Sequence, residues 1–248
     1  MRLAGKTAIV TGGGSGFGEG IARKFVAEGA WVIIADRDAE AGARVAAALG
    51  NSARAVTTDV TRDAEVAQLV ETAYAEFGGL DILVNNAGIG HTPQPLESLE
   101  EETFERIAAV NMKAIYLSAR HVVPRFKQAK AGVILNMAST AGVSPRPNLT
   151  WYNASKGWVI TATRSMAVEL APHGIRVNAL NPVAGETPLL KTFMGADTPE
   201  VRAKFLATIP LVRFSTPADL GNAAAFLCSD EASMITGVAL EVDGGRCI

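Results

Sequence analysis

The stretch TAIVTGGGSGFG, residues 7–18, joins a short apolar strand to a glycine-rich loop. The residues that follow show a helical pattern, with Ile21, Ala22, Phe25 and Val26 on one face. Glycines allow a tight turn and a close approach of the backbone to a pyrophosphate, and the amides at a helix start favour negative charge. A plain glycine turn is the alternative, but the strand–loop–helix order favours a dinucleotide site. The candidate cofactor-binding residues here are Gly12, Gly14, Ser15, Gly16, Phe17 and Gly18.

Strand and helix patterns alternate along the rest of the chain. Further strands are predicted at residues 31–35, 54–58, 82–84, 132–137, 175–180 and 238–242, with helical patterns between most of them and one long helical stretch at 99–127. This alternation predicts an α/β fold, a Rossmann-type doubly wound parallel sheet of about seven strands with helices on both faces. No linker or repeat divides residues 1–248, so we expect one domain, with residues 187–211 as a substrate lid.

Asp36 ends the second predicted strand, 18 positions after Gly18. An acidic residue about 20 positions after the glycine loop is expected to bind the adenosine ribose hydroxyls. A carboxylate there repels a 2′-phosphate, so NAD is favoured over NADP, although the adjacent Arg37 could accommodate that phosphate. A turn or helix-capping aspartate is the alternative interpretation.

Two further strand ends carry candidate cofactor contacts. Asp59, followed by Val60, ends the third predicted strand and could accept a hydrogen bond from an adenine amino group, or could cap a helix. The small residues of Asn86-Ala87-Gly88 follow the fourth strand and let the backbone pass close to a cofactor, and asparagine side chains can pin adjacent loops.

Ser139, Tyr152 and Lys156 form the candidate catalytic group. Tyr152 and Lys156 are four residues apart on a predicted helix and therefore project from one face. A nearby ammonium favours a phenolate, and a tyrosine tuned in this way can exchange a proton with an alcohol or carbonyl oxygen. A serine hydroxyl can bind the same oxygen. Core packing of the tyrosine and solvation of the lysine are the alternative.

The bulk composition excludes several function classes. The 248-residue chain is 48% hydrophobic with a net charge of -2 and no long basic run, which argues against nucleic acid or an anionic membrane as the main partner. Its two cysteines, Cys228 and Cys247, form no disulfide framework or metal cluster. Without a visible signal peptide or an apolar run of bilayer length, we expect a cytoplasmic protein with no metal.

The motifs taken together resemble the short-chain dehydrogenase/reductase family, in its compact single-domain branch, over nearly the whole chain. The motifs that carry the resemblance are TGGGSGFG at 11–18, NNAG at 85–88, Ser139, YNASK at 152–156, Asn181-Pro182 with Thr187, and VDGG at 242–245. The resemblance implies that Tyr152 is the acid/base, Lys156 lowers its pKa and holds the nicotinamide ribose, and Ser139 orients the substrate. It also implies that Asn111 distorts its helix and anchors a proton-relay water.

Two positions depart from the family pattern. Val183 follows Pro182 where a glycine is usual and adds bulk beside the nicotinamide, while Gly185 restores some freedom and Thr187 contacts the carboxamide or pyrophosphate. Phe17 replaces a commoner aliphatic residue, and we expect little effect from it.

Candidate substrate walls lie at residues 90–92, 140–151 and 187–211, and their polar or aromatic candidates are His91, Arg146, Asn148 and Trp151. Arg146 could bind an anionic group or be a surface arginine in a Pro-Arg-Pro turn, and we favour the surface interpretation. The resemblance also implies a homotetramer built on the helices at 99–127 and 152–171. Ile160, Ala167 and Val168 either supply its apolar contacts or face the sheet.

The sequence therefore predicts an NAD(H)-dependent oxidoreductase, with NADP less favoured, that acts on a small-molecule secondary alcohol or ketone. An NADP(H)-dependent 3-oxoacyl-thioester reductase is the alternative within the same class. A non-catalytic dinucleotide-binding sensor or scaffold is the alternative from another class, and the intact Ser139, Tyr152 and Lys156 speak against it.

Overall fold

The protein folds around one seven-stranded parallel sheet, described here by a computed structural model of residues 1–248. The spatial order of the strands is β3-β2-β1-β4-β5-β6-β7. The strands are β1 (Thr7–Thr11), β2 (Trp31–Asp36), β3 (Ala53–Thr57), β4 (Ile82–Asn85), β5 (Gly132–Met137), β6 (Ile175–Pro182) and β7 (Ala239–Val242). The doubly wound Rossmann-type fold predicted from the alternating pattern is confirmed.

Nine α-helices connect and cover the strands. They are α1 (Gly16–Ala27), α2 (Ala39–Leu49), α3 (Asp63–Phe77), α4 (Glu101–Ala108), α5 (Ala114–Ala129), α6 (Thr150–Leu170), α7 (Leu189–Met194), α8 (Pro199–Leu206) and α9 (Pro217–Cys228). Each long connection runs between parallel strands, so both faces of the sheet are covered and the strands are apolar on both sides. No helix combines the length and apolar character needed to span a membrane.

The two faces of the sheet bury separate hydrophobic clusters because side chains alternate along each strand. In β1, Ala8 and Val10 join a cluster with Ile21 and Phe25 of α1. Ile9, between them, faces the opposite cluster, which contains residues of α3, α5 and α6. All three β1 side chains are fully buried.

The structure shows which of the α6 residues Ile160, Ala167 and Val168 face the sheet and which faces solvent. Ile160 is 6% exposed and Ala167 is 3% exposed, and both pack in core clusters under the sheet. Val168, in contrast, is 80% exposed. Ile160 and Ala167 therefore stabilise the fold of the single chain, and only Val168 of the three is free to contact a partner.

The predicted helical stretch at 99–127 is two α-helices rather than one. A π-helical segment, Ala109–Lys113, separates α4 from α5 and contains Asn111 at its centre. Such a segment changes the direction of the side chains that follow it and is frequent at functional sites. Hydrophobic periodicity did not reveal this break, because the apolar face continues on both sides of it.

The crevice for a ligand is expected where the strand order reverses. Strand β1 pairs with β2 on one side and with β4 on the other. The connections from these neighbouring strands leave in opposite directions, and doubly wound folds bind ligands at the carboxyl ends of the strands at this point.

Candidate active site

One elongated cavity of about 460 Å³ lies along the carboxyl ends of the strands. Asp36, Arg37 and Asp59 line one end, and Ser139, Tyr152 and Lys156 line the other. The cavity thus brings the predicted cofactor-binding and catalytic residues into one continuous space. Most of the predicted site residues line it, namely Gly12, Ser15, Gly16, Phe17, Asp36, Arg37, Asp59, Val60, Asn86, Ala87, Gly88, Ser139, Tyr152, Lys156, Pro182, Val183, Gly185 and Thr187.

The glycine loop forms the floor of the cavity between β1 and α1. Gly12 has a positive φ of 63°, a conformation that favours glycine, and a Cβ added there would lie 3.0 Å from Cα of Ala87. The Asn86 side-chain amide donates to the carbonyl oxygens of Thr11 at 2.8 Å and Gly12 at 3.1 Å. Asn86 therefore fastens the loop after β4 to the glycine loop.

The start of α1 offers unpaired donors to this space. Ser15 is the N-cap of α1, but its side chain makes no capping hydrogen bond. The first amides of a helix have no intrahelical acceptor and carry partial positive charge. The residues at this end fit a pyrophosphate, because the backbone comes close to the cavity where only glycine fits.

Gly14 and Gly18 lie behind the cavity lining, unlike the other predicted loop residues. The Gly14 amide donates to Asp36 Oδ2 at 2.9 Å, and its carbonyl accepts from Arg44 at 2.7 Å. Gly18 packs directly against the Gly12 carbonyl group. Both residues shape the loop, and the structure gives neither of them a place on its cofactor-facing surface.

Asp36 is held at the end of β2 with its carboxylate at the cavity. Its two oxygens accept from the amides of Gly14 at 2.9 Å and Asp38 at 3.0 Å. A carboxylate retains free lone pairs after two such bonds, so it can still accept from hydroxyl groups. Arg37 lines the cavity beside it.

Asp59 forms a turn and also lines the cavity. Its Oδ1 accepts from the Thr61 amide at 2.9 Å and the Thr61 hydroxyl at 2.7 Å. Burial alone would raise the pKa of Asp59, but the bonds from Thr61 and the charges of Arg62 and Arg37 outweigh it and lower that pKa. The carboxylate is consequently an acceptor at neutral pH.

The catalytic group is almost completely buried at the other end of the cavity. Ser139 is 8% exposed, Tyr152 is 6% exposed and Lys156 is 4% exposed. Ser139 follows β5, and its hydroxyl accepts from the Ala141 amide at 3.1 Å. Tyr152 and Lys156 lie in the first turns of α6, which places both side chains on the face that borders the cavity.

Burial is the largest influence on the pKa of both Tyr152 and Lys156. It raises the pKa of Tyr152 to about 12, against the lowering effects of the Ser139 hydroxyl and the Arg146 charge. Burial also lowers the pKa of Lys156 to about 8. Lys156 Nζ donates to the Met137 carbonyl oxygen at 2.8 Å and lies 5.8 Å from the centroid of the Tyr152 ring. In this state the ammonium is tied to β5 rather than to the phenol.

Asn111 connects three parts of the site. Its side-chain amide donates to Ile89 O and to Ser155 Oγ, both at 3.0 Å, and its Oδ1 accepts from the Ile89 amide at 2.9 Å. A Cβ on Gly88 would lie 3.5 Å from Asn111 Oδ1 and 3.3 Å from Lys156 Nζ. Asn111 therefore holds the loop after β4 against α6, beside the lysine.

The residues after β6 cover the cavity. Val183 is 4% exposed and packs with Leu190, Met194, Ile209 and Phe214. The bulk that replaces the usual glycine is thus accommodated in an apolar cluster under α7.

Phe17 has a larger structural role than the sequence indicates. Its ring lies directly against Cα of Gly185, where a Cβ would collide with it. Phe17 and Gly185 therefore fill each other's space. The expectation that Phe17 has little effect on phosphate binding by its amide stays a prediction.

Among the proposed polar substrate contacts, only Arg146 lines the cavity. His91 is buried with Nδ1 2.9 Å from the Thr92 carbonyl oxygen. Trp151 donates to the Leu96 carbonyl at 2.9 Å, and Asn148 has a φ of 62°. The interpretation of Arg146 as a surface residue is wrong, because its side chain is partly buried against the cavity.

Phe193 is a site residue that the sequence did not indicate individually. Its ring lies 4.8 Å from the Tyr152 ring, centroid to centroid, and lines the cavity. Phe193 also occupies the space above Gly90, where a Cβ would collide with its ring. The sequence predicted a lid at residues 187–211, but no local signal indicated that Phe193 would cover Tyr152.

The family assignment follows from the sequence comparisons. The model of the adh_short_C2 family, described as enoyl-(acyl carrier protein) reductase, matches residues 12–246. The chain belongs to the short-chain dehydrogenase/reductase family. It is an oxidoreductase of the nicotinamide-dinucleotide-dependent class that acts on CH–OH groups.

Relatives cover the whole chain and act on different substrates. The 4-formylbenzenesulfonate dehydrogenase TsaC1/TsaC2 of Comamonas testosteroni is 48% identical over 100% of both chains. Galactitol 2-dehydrogenase of Agrobacterium fabrum is 40% identical over 99% of both chains. The crystal structure of 3-ketoacyl-(acyl-carrier-protein) reductase from Brucella melitensis complexed with NADH is 56% identical, with a TM-score of 0.95, over 99% of this chain and 100% of that chain.

The buried ammonium of Lys156 predicts a pH-dependent contribution to stability. Its folded pKa of about 8 lies below the unfolded value of about 10.4. Burial of the neutral lysine therefore contributes fully to the unfolding free energy above the unfolded pKa. This contribution is lost as the pH falls from there through about 8, because the folded protein must then bury the charged form. Relative to Lys156→Met, the wild type is expected to gain about 1 kcal/mol or more of unfolding free energy between pH 7 and pH 9.5.

Urea unfolding of both proteins without added cofactor at the two pH values measures this difference. Lys204→Met, at an exposed position on α8, is the control and is expected to show no such change. A wild-type-to-variant difference that is the same at pH 7 and pH 9.5 would contradict the prediction.

Proposed function

We propose that this chain is an NAD(H)-dependent oxidoreductase that interconverts a secondary alcohol and a ketone, with Tyr152 as the general acid/base. One observation carries the proposal: a single cavity has Asp36 at one end and Ser139, Tyr152 and Lys156 at the other. A bound dinucleotide needs an acceptor for its adenosine ribose hydroxyls at one end of a cavity and the reacting groups beside its nicotinamide at the other end.

The bound nicotinamide supplies or accepts the hydride. Ser139 donates a hydrogen bond to the substrate oxygen and orients it toward the phenol. Tyr152 is protonated at neutral pH, since its pKa lies far above 7, and it gives its proton to the carbonyl oxygen during reduction. During alcohol oxidation the phenolate form of Tyr152 accepts the proton, and the positive charge of Arg146 favours that form. By the family resemblance Lys156 adds its charge when the cofactor is bound.

Lys156 and Asn111 have supporting roles in this mechanism. Lys156 would hold the nicotinamide ribose from its position on α6, where its Nζ donates to the Met137 carbonyl oxygen. Asn111 keeps the loop after β4 and α6 in register and anchors the water that relays the proton from the lysine. Apolar residues of α7, including Phe193, exclude bulk water from Tyr152, and residues 187–211 act as the lid of this single domain.

The test is NADH formation from NAD, and NADPH formation from NADP, across sugars, polyols, hydroxyacids and secondary alcohols, with NADH oxidation for the corresponding carbonyl compounds. The panel includes galactitol and a 3-oxoacyl thioester because relatives carry those activities in their names. Turnover with NAD supports the proposal. Turnover with NADPH and the thioester alone would favour the NADP(H)-dependent 3-oxoacyl-thioester reductase instead.

Replacing Asp36 with asparagine is expected to move the cofactor preference toward NADP. The change removes the charge that repels a 2′-phosphate, keeps an acceptor for one backbone amide and leaves Arg37 in place. The ratio of kcat/KM for NADP to that for NAD should rise by about 10- to 100-fold, about the strength of one charged hydrogen bond. Glu40→Gln, at an exposed position nearby, is the matched control. An unchanged ratio would show that Asp36 does not select the cofactor.

We also propose that the protein is a homotetramer in the cytoplasm. Apolar side chains remain exposed on α4, α5 and α6, with Phe104 at 45%, Tyr116 at 58% and Val168 at 80% exposure, and these are the helices at which the family resemblance implies a shared interface. The two cysteines are free thiols, which fits a reducing compartment. Light scattering of the purified protein measures the assembly, and a monomeric mass would reject the tetramer.

A further inference from the structure

Arg146 brings an uncompensated positive charge to the catalytic end of the cavity. Its side chain lines the cavity with Ser139 and Tyr152. Arg146 has no carboxylate partner among the salt bridges of the chain, and its guanidinium donates no hydrogen bond to a protein acceptor. Its side chain is partly buried at the cavity wall, so it presents free, positively charged donors beside the reacting groups to a ligand that enters the cavity.

The backbone that carries Arg146 is held rigidly. Proline residues flank it on both sides, and its carbonyl oxygen accepts from the Asn153 side-chain amide at 2.7 Å. The guanidinium lies 4.4 Å from the centroid of the Phe205 ring of α8. A guanidinium stacked in this way keeps its edge free for a planar, bidentate acceptor. The arginine is therefore positioned before a ligand binds.

The charged residues that line the cavity make its catalytic end electrically positive. The acidic residues that line the cavity, Asp36 and Asp59, lie at the adenosine end, while Arg146 and Lys156 lie at the catalytic end. Burial and the nearby charge of Arg246 both lower the pKa of Arg146.

Arg246 is itself incompletely paired. Its Nη1 donates to Ser144 Oγ at 3.3 Å, on the same loop as Arg146, and its Nε is buried without an acceptor. The charge of Arg246 is near enough to lower the pKa of Arg146, but only Arg146 lines the cavity. A neutral sugar or polyol would leave the charge of Arg146 without a partner.

We propose that Arg146 binds an anionic group, a carboxylate or a sulfonate, on the substrate whose oxygen reacts at Tyr152. This inference rests on the proposed alcohol–ketone oxidoreduction and narrows its substrate class. The anion takes the free edge of the guanidinium, Ser139 and Tyr152 take the reacting oxygen, and the apolar body of the substrate lies against Phe193. The substrate is accordingly a hydroxy or oxo acid rather than an uncharged alcohol.

The test compares three ketones of nearly equal shape: 4-acetylbenzoate, 4-acetylbenzenesulfonate and the neutral 4-acetylbenzamide. Calorimetry measures their binding to the NAD-saturated protein, and NADH oxidation measures KM and kcat. The wild type is expected to bind at least one anion about 10- to 100-fold more tightly than the amide, the range for a charge-assisted hydrogen bond. Arg146→Gln should remove this anion-to-amide preference through KM, and Arg146→Lys should keep part of it.

Lys204→Gln is the matched control, because it removes one positive charge from the exposed surface of α8. It should retain the full preference for the anion. A wild type with no preference, or a preference that persists in Arg146→Gln, would overturn the inference. The carboxylate and sulfonate arms identify which anion the site takes.

The two proposals fail in different ways in this experiment. Turnover of the panel substrates without any anion preference leaves the oxidoreduction in place and removes the role of Arg146. Binding of the anions that depends on Arg146, without turnover of any alcohol or ketone, supports the anion site and rejects the proposed reaction.

Discussion

Replacing Tyr152 with phenylalanine is expected to lower kcat by about 100- to 10,000-fold, the usual contribution of a general acid or base. The phenol is the one group in our mechanism that exchanges a proton with the substrate oxygen. The ring itself is held by packing, since it lies 4.8 Å from Phe193 and is 6% exposed. Phenylalanine keeps this packing, so NADH binding and the unfolding midpoint should change little.

Steady-state kinetics and cofactor titration of the same preparation separate the two effects. Tyr74→Phe, at a tyrosine of α3 that does not line the cavity, is the control and should retain wild-type kcat. A Tyr152→Phe enzyme within about tenfold of the wild-type kcat would remove this residue from the proton transfer.

Replacing Gly18 with alanine is expected to produce the largest structural effect. Gly18 is in the first turn of α1, and an added Cβ would overlap the carbonyl oxygen of Gly12 and come 2.5 Å from Asn86 Nδ2. Relief of this overlap must displace either the glycine loop or the asparagine that fastens it to the loop after β4. Overpacking of this kind costs about 1–3 kcal/mol, and NADH affinity should fall more than about tenfold because we expect this loop to bind the pyrophosphate.

Denaturant unfolding and NADH titration test this prediction. Gly79→Ala is the control, because a Cβ there meets nothing within 4 Å, and its stability should stay within about 0.5 kcal/mol of the wild type. Wild-type stability together with wild-type NADH affinity in Gly18→Ala would contradict the account of the loop.

The fold was predictable because the strongest signals were local. Apolar strands ending in glycine, aspartate or asparagine repeated along the chain, and β1 and β2 lie where they were expected. The third strand begins at Ala53 rather than Arg54, and the sixth extends through Pro182. Such boundaries depend on pairing with neighbouring strands, which a single sequence does not show.

The site was predictable in its parts, while the contacts between distant segments were not. Asp36 and the glycine loop were found from spacing, but nothing in the sequence indicated that Phe193 would cover Tyr152. Arg146 was misjudged because the Pro-Arg-Pro turn resembles an exposed loop, whereas α8 packs Phe205 against its guanidinium. The bond from Lys156 to the Met137 carbonyl similarly requires the fold to bring β5 and α6 together.

The most direct test of the central claim follows the hydride itself. The protein would reduce its best ketone with NADH carrying two deuterium atoms at nicotinamide C4, and mass spectrometry and NMR would locate the label in the product. The account predicts one deuterium on the carbinol carbon and a hydroxyl proton derived from water through Tyr152. Label that is lost to solvent, or a product alcohol without deuterium, would contradict direct hydride transfer in this cavity.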